Sequence, residues 1–390
     1  MRLPTLVTMA CVCGVLAACG GSSAPQEASK EVPKEVPKEV PLLSGDALRQ
    51  EVERFRASAG LPGVAVVIVD QDKIETAVSG KRRIDAPDLL QPKDAFQIGS
   101  QTKAVTGMLI ARLVEQKKLR WDATLSELFP AWRSRMRPEF LNVSVAQLMH
   151  HQSGLPRDFG DADFAGLQAQ ISGNAASDRA NAAIWFLQQP AVFVPGTQSL
   201  YSNIGYMVLG LIAETVAGDS YENLIAKDVL TPLQMQGAFG YPEDAGPATP
   251  AGHTPGASGW QVAQYPPETR LWLSAVAAAG GLVLAPQDYG RLLREQLRGL
   301  QGQSSYLTQA SYRLMHTPIN GYGFGWVVVE APNVGTVSWH NGTVGSYYST
   351  NRLIPGQNRA IEVICNCHSD RTDQQIEEFA ASLIGLGPKK

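Results

Sequence analysis

Cysteine is scarce, and most of it sits where a folded domain would not use it. Of five cysteines in 390 residues, Cys11, Cys13 and Cys19 lie close to the start, and only Cys365 and Cys367 fall in the body of the chain. That excludes the dense disulfide framework of small secreted domains, so apolar packing must make the core. Charge is also sparse: charged residues make up 18%, the net charge is −3, and there is no basic run, which removes nucleic acid as a partner. No His-Glu-x-x-His occurs, and Cys365-Asn-Cys-His368 has no further ligand cluster beside it. Neither a metal nor any other cofactor is expected. What the chain does have is 44% hydrophobic residues, enough for one large domain or two smaller ones.

The start reads as an export signal. Arg2 precedes an apolar stretch that is short of the ~20 residues needed to span a bilayer, and Leu16-Ala-Ala-Cys19 resembles the bacterial lipobox. This divides the start into a signal peptide, 1–18, and a tether, 19–44, lipidated at Cys19. Gly20 stands where aspartate would favour the inner membrane, so the expected location is the cell envelope, anchored in the outer membrane and facing the periplasm. An ordinary signal peptide with a chance cysteine is the alternative. Three tandem copies of Lys-Glu-Val-Pro fill Lys30–Pro41. A proline at every fourth position blocks a helix and favours an extended spacer, roughly 80 Å long from Cys19 to Ser44 at ~3.1 Å per residue.

Residues 45–388 form the folded part. Strands are expected at Gly63–Asp70, Lys73–Val78, Tyr322–Glu330, Thr336–Trp339, Tyr347–Ile354 and Arg359–Cys365, the last four as an antiparallel meander. Helices are expected at Leu48–Phe55, Val143–His150, Asp178–Gln189, Pro286–Leu300 and Gln374–Ile384. Asp158–Ala176 reads as irregular and is a candidate substrate wall, and Tyr241–Pro267 reads as a surface loop. In the last strand, alternation puts Ile361, Val363, Cys365 and Cys367 on one buried face, where a bond between the two cysteines would be strained. Strands at both ends with helices between them give an α/β (α+β) fold. It has an antiparallel sheet flanked by helices (45–99 and 275–388) and an inserted, mainly helical domain (100–274).

The chemistry-bearing stretch is Ser100-Gln-Thr-Lys103, the only Ser-x-x-Lys in the chain. Val105, Met108, Leu109 and Leu113 recur at helical spacing after it, so Ser100 starts a helix and Lys103 lies one turn on, on the same face. A lysine amine of lowered pKa can take the hydroxyl proton, and the helix start offers free N–H groups to an oxyanion. An N-cap serine with a solvated lysine is the plain alternative. Tyr201-Ser-Asn203 follows the turn Pro195-Gly196 and opens a second helix. A rival Tyr221-Glu-Asn223 lies inside a helix, with its tyrosine expected in the core. Asn341-Gly342, after His340, reads on its own as a hairpin turn.

Together, Ser-x-x-Lys, Tyr-x-Asn and His340-Asn-Gly342 in this order resemble the penicillin-recognising serine hydrolases, in their class C β-lactamase and D,D-peptidase branch. His151-Gln-Ser-Gly-Leu-Pro156, Ala279-Gly-Gly-Leu-Val283 and Tyr322-Gly-Phe-Gly-Trp326 add to the likeness, which runs from about Leu48 to Ile384. The resemblance implies a β-lactamase/transpeptidase-like fold. It makes Ser100 the nucleophile, with Lys103 and Tyr201 sharing acid–base work. Asn203 would bind the substrate's acyl amide, Ser100 and Thr343 N–H would form the oxyanion hole, and the third motif, with Gly342 admitting substrate backbone, would lie on a strand along the cleft rather than in a turn. His151 would be structural.

Histidine stands at 340 where β-lactamases usually carry a carboxylate-binding lysine. Being mostly neutral at pH 7, it favours an esterase or D-amino-acid-peptide-type hydrolase. A β-lactamase or D,D-carboxypeptidase is the alternative, and a non-catalytic penicillin-binding lipoprotein the third. On this reading, acid or His340→Lys should favour substrates with a free carboxylate. The partners are a carbonyl ester or amide substrate and the membrane. Cys19→Ser should move the protein from the membrane pellet to the soluble fraction with hydrolysis intact; retention in the pellet after a high-salt wash would remove the anchor.

Overall fold

The computed structural model describes residues 42–246, 248–332 and 334–385. Cys19, the signal and the tether up to residue 41 lie outside the described residues. Helix α1 (Gly45–Ala59) leads into strands β1 (Gly63–Asp70) and β2 (Lys73–Gly80), paired antiparallel with Val66 opposite Ala77. The sheet is completed from the other end of the chain. Strands β3 (Val327–Ala331), β4 (Gly335–Trp339), β5 (Asn341–Thr343), β6 (Tyr348–Ile354) and β7 (Arg359–Cys365) give the order β2-β1-β7-β6-β4-β3, with β5 beside β6. Every pair is antiparallel, and Val363 of β7 lies between Val66 and Thr350.

The one-sided burial expected of β7 does not hold. Ala360 to Cys365 are all buried, as are Gly63 to Val69 of β1, so helices cover both faces of the sheet. Helix α5 (Pro286–Leu300) lies against one face, where a Cβ on Gly290 would come within 2.9 Å of the Val67 side chain. Helix α1 packs on the closing helix α6 (Asp370–Leu383) through stacked Phe55 and Phe379 rings, 3.9 Å apart.

Cys365 and Cys367 are also corrected: they form a disulfide. A bond would be strained in an extended strand, which would separate their Cα atoms by about 6.6 Å. The strand instead ends at Cys365, Asn366 turns to bond the Lys81 and Arg82 carbonyls, and the Cα atoms are 5.2 Å apart. The expected strand at Tyr322 begins only at Val327, because Gly323 N closes a turn onto Trp326 O at 2.7 Å. The segments read as loops hold a helix at Asp161–Leu167 and a hairpin, His253–Gly256 with Gly259–Val262.

Between the two halves of the sheet the chain is mainly helical: besides α5, the longest pieces there are α2 (Thr102–Glu115), α3 (Ala175–Leu187) and α4 (Asn203–Ala217). The α2 residues from Thr102 to Ala111 are all buried, which makes it the central helix of the core. Arg179 of α3 is buried too, and its guanidinium joins Glu214 of α4, Glu222, and the carbonyls of Ser274 and Ala275. Breaking a buried ion pair strands the partner charge. Arg179→Met should therefore destabilise the protein by about 3–5 kcal/mol, read as a lower denaturant midpoint; an unchanged midpoint would show that Glu214 and Glu222 find water instead.

Candidate active site

Ser100 lies in a single 3-10 turn, Gly99–Gln101, that runs into α2. Three residues on, Lys103 is fully buried, and its Nζ has three partners: Asn203 Oδ1 at 2.6 Å, Ala279 O at 2.7 Å and Ser100 Oγ at 3.2 Å. Two of these can only accept. A neutral amine has two N–H donors for them, and its lone pair is then left for the serine hydroxyl proton. Asp158 fixes the Asn203 amide in this sense, because its carboxylate accepts from Nδ2 at 2.5 Å. Burial drives the Lys103 pKa well below 10.5; Asp158 opposes the shift and Arg157 adds to it. Between its folded pKa and 10.5 the folded chain binds fewer protons than the unfolded one, so stability rises with pH there, and the free base is lost as pH falls through the folded pKa.

Tyr201 lines the same pocket. Its ring centroid is 4.7 Å from Lys103 Nζ, and it packs on the rings of His151 and His340 at 4.5 and 6.0 Å. It precedes α4, whose N-cap Ser202 accepts from Gly205 N, so Asn203 opens the helix. His151 is buried, its Nδ1 accepts from Ser202 N at 3.1 Å, and its pKa is lowered by desolvation: it supports the motif from behind. Tyr221 is a core residue as expected, with its hydroxyl 2.7 Å from Thr106 Oγ1.

The third motif is on a strand. Asn341–Thr343 pairs with β6, with Gly342 opposite Ser349. The turn bearing Ser100 is pressed against it. A Cβ on Gly342 would fall 2.0 Å from Ile98 O and 3.0 Å from Ser100 N, and one on Gly99, at φ +51°, 2.4 Å from Thr343 N. Two glycines therefore let the Ser100 and Thr343 amides converge, as an oxyanion hole requires.

His340 departs from expectation. It is 3% exposed; Nδ1 faces the Asn341 carbonyl at 2.5 Å, an acceptor only, so Nδ1 carries the proton and Nε2 accepts from Tyr322 Oη at 3.0 Å. Desolvation lowers its pKa to about 3. Mild acid therefore does not charge it, and His340→Lys would bury an ammonium beside Lys103. The cation at this pocket is Arg157, 5.2 Å from the Tyr201 ring centroid and 3.5 Å from Asp158. Arg157, directly after the Gly-Leu-Pro segment, was not among the expected site residues, and Asp158 was expected only as the first residue of a candidate substrate wall. Gln101, inside the first motif, and Glu362, a charge between Ile361 and Val363, were likewise not expected at the site.

The β-lactamase family model matches residues 48–384. The chain belongs to the β-lactamase family. Protein flp of Staphylococcus aureus (strain NCTC 8325 / PS 47) is 25% identical over 335 residues, covering 83% of this chain but only 63% of flp, so this chain spans less than two thirds of that relative. Penicillin-binding protein 4 of Amycolatopsis lactamdurans is 25% identical over 341 residues, 82% of this chain and 84% of its own. The octameric penicillin-binding protein homologue of Pyrococcus abyssi superposes with a TM-score of 0.71 at 24% identity, over 88% of this chain and 78% of that one. The antiparallel sheet and inserted helices are thus the β-lactamase-like fold, whose family members are typically serine hydrolases.

Gly342→Ala tests the convergence of the two amides. The added carbon must push β5 from the Ser100 turn, and loss of one oxyanion donor typically costs about 10²–10³ in rate. The expected outcome is a fall of that size in acylation by an active-site probe with the protein still folded; acylation near the wild-type rate would mean that these amides do not hold the oxyanion.

Proposed function

We propose that this protein hydrolyses esters or D-amino-acid peptides through an acyl-enzyme on Ser100. The observation that carries the reading is the buried Lys103 amine, whose two acceptor partners leave its lone pair for Ser100 Oγ. Ser100 Oγ attacks the substrate carbonyl while its proton passes to Lys103 Nζ. The amides of Ser100 and Thr343 take the oxyanion, and Lys103 with Tyr201 returns the proton to the leaving group. Water then releases the acyl group by the same route in reverse. Asn203 reaches a substrate amide by exchanging its Asp158 bond, since Oδ1 is committed to Lys103.

The neutral His340 supports neutral substrates over those needing a fixed cation beyond the third motif. One observation favours the second reading, a β-lactamase or D,D-carboxypeptidase: Arg157, beside the Tyr201 ring, can meet a substrate carboxylate. If the export signal at the start of the chain operates, the enzyme works in the cell envelope, anchored through Cys19.

The test uses a fluorophosphonate probe and a panel of matched neutral and anionic esters, β-lactams and D-residue peptides. The probe should label the wild type and not Ser100→Ala; equal labelling would remove Ser100 as nucleophile. The kcat/KM ratio of anionic to neutral ester should stay flat between about pH 8 and pH 5, because His340 does not titrate there. It should fall in Arg157→Ala if that residue selects carboxylates. A ratio that rises through pH 6 would return the selecting role to His340.

A further inference from the structure

Gln101 sits inside the first motif yet takes no part in the proton transfer. It points away from Lys103, is fully buried, and its Nε2 donates to two places at once: the His340 carbonyl at 3.1 Å and both carboxyl oxygens of Glu362 at 3.0 Å. Glu362, in β7, is likewise fully buried, and no cation lies within ion-pair distance of it among the described residues. Arg352, the nearest cation on the adjoining strand, is committed to Glu377. Across the sheet Glu362 faces Asn351 on one side and Val67 on the other, and Tyr289 of α5 bonds Asn351 Nδ2 at 2.7 Å.

A carboxyl so placed is pushed well above the usual carboxylate range by desolvation, so it works as a neutral hydrogen-bonding group. An apolar pair would pack here at lower cost. Gln101 Oε1 is itself left buried without a hydrogen-bond partner, and no ion pair compensates. The arrangement therefore needs a reason other than stability.

Its position supplies one. The Gln101 backbone directly follows Ser100, and His340 stands three residues before Thr343. One nitrogen thus ties together the two segments whose amides form the oxyanion hole. Asn351 grips His340 from the far side, through His340 N at 3.0 Å and His340 O at 3.1 Å.

We propose that Gln101 and Glu362 form a buried brace that sets the gap between the nucleophile turn and the His340–Thr343 segment, and so the spacing of the two oxyanion donors. They are positioning residues, and the inference rests on the hydrolase reading above. A brace of this kind acts on the transition state: the acylation rate constant depends on it, whereas affinity for the probe before reaction does not. Loss of about an ångström in placement lowers such a step by about a hundredfold.

The experiment measures the maximal acylation rate and the half-saturating concentration of the fluorophosphonate probe on the full chain, with circular dichroism to verify folding. Glu362→Leu and Gln101→Met should each slow acylation by about ten- to a hundredfold at unchanged half-saturation. The double variant should be no slower than the worse single one, since each breaks the same link. Glu362→Gln, neutral and of the same shape, should retain most of the rate; it also decides the matter if Glu362→Leu does not fold, together with Gln101→Met. Labelling of the wild type with unchanged rates in Gln101→Met and Glu362→Leu overturns the brace alone, as does a Glu362→Gln rate as low as that of Gln101→Met. A wild type that does not label overturns the hydrolase reading and the brace with it.

Discussion

The site depends on taking one amine out of water. An ammonium buried as Lys103 is would keep its proton only if a carboxylate compensated it, and its hydrogen-bond partners are an amide oxygen, a carbonyl and a hydroxyl. Desolvation therefore wins, and the amine becomes a base. Much of the helical region serves that burial. Residues of α2 are packed on all sides, α4 delivers Asn203, and the segment held by Arg179 leads to the Ala279 carbonyl. Asp158 is half-exposed and touches Asn203 rather than Lys103, so it orients the amide and only partly offsets the loss of charge.

A second constraint is backbone proximity. The turn bearing Ser100 and the strand bearing Thr343 approach more closely than any side chain between them would permit, and glycine at 99 and 342 is the condition for it. Close approach without side chains leaves little to hold the two segments at a set distance. Side chains from behind take that role: Ser349 Oγ reaches Ile98 O at 3.2 Å, and Gln101 reaches His340 O. The polar groups beneath the site thus sit where van der Waals packing is interrupted by bare backbone.

His340 shows how the same burial reshapes a neighbouring residue. In water an imidazole titrates near pH 6.5, and its place in the third motif invites a charge-based account of substrate choice. Enclosed by Tyr322 and its own strand, it is a neutral link between them. Charge at the pocket instead comes from Arg157 and Asp158, on the segment after Pro156.

By itself, the sequence determined what short-range patterns encode. The strands Gly63–Asp70 and Arg359–Cys365 and the helix Pro286–Leu300 lie where hydrophobic periodicity and turn residues put them, because those signals act over neighbouring residues. The order of three short motifs pointed to the family, and Tyr201 was separated from Tyr221 by whether its tyrosine followed a turn or lay within a helix. Tertiary structure alone decided the rest. Whether Asn341-Gly342 was a turn or a strand depended on Thr350 and Ser349 pairing with it, and the Cys365–Cys367 bond depended on Asn366 finding carbonyls at 81 and 82. Glu362 met Gln101 across 261 positions of chain. Ionisation states at Lys103, His340 and Glu362 followed from exclusion of water by residues distant in sequence, and no local pattern records how dry a side chain will become.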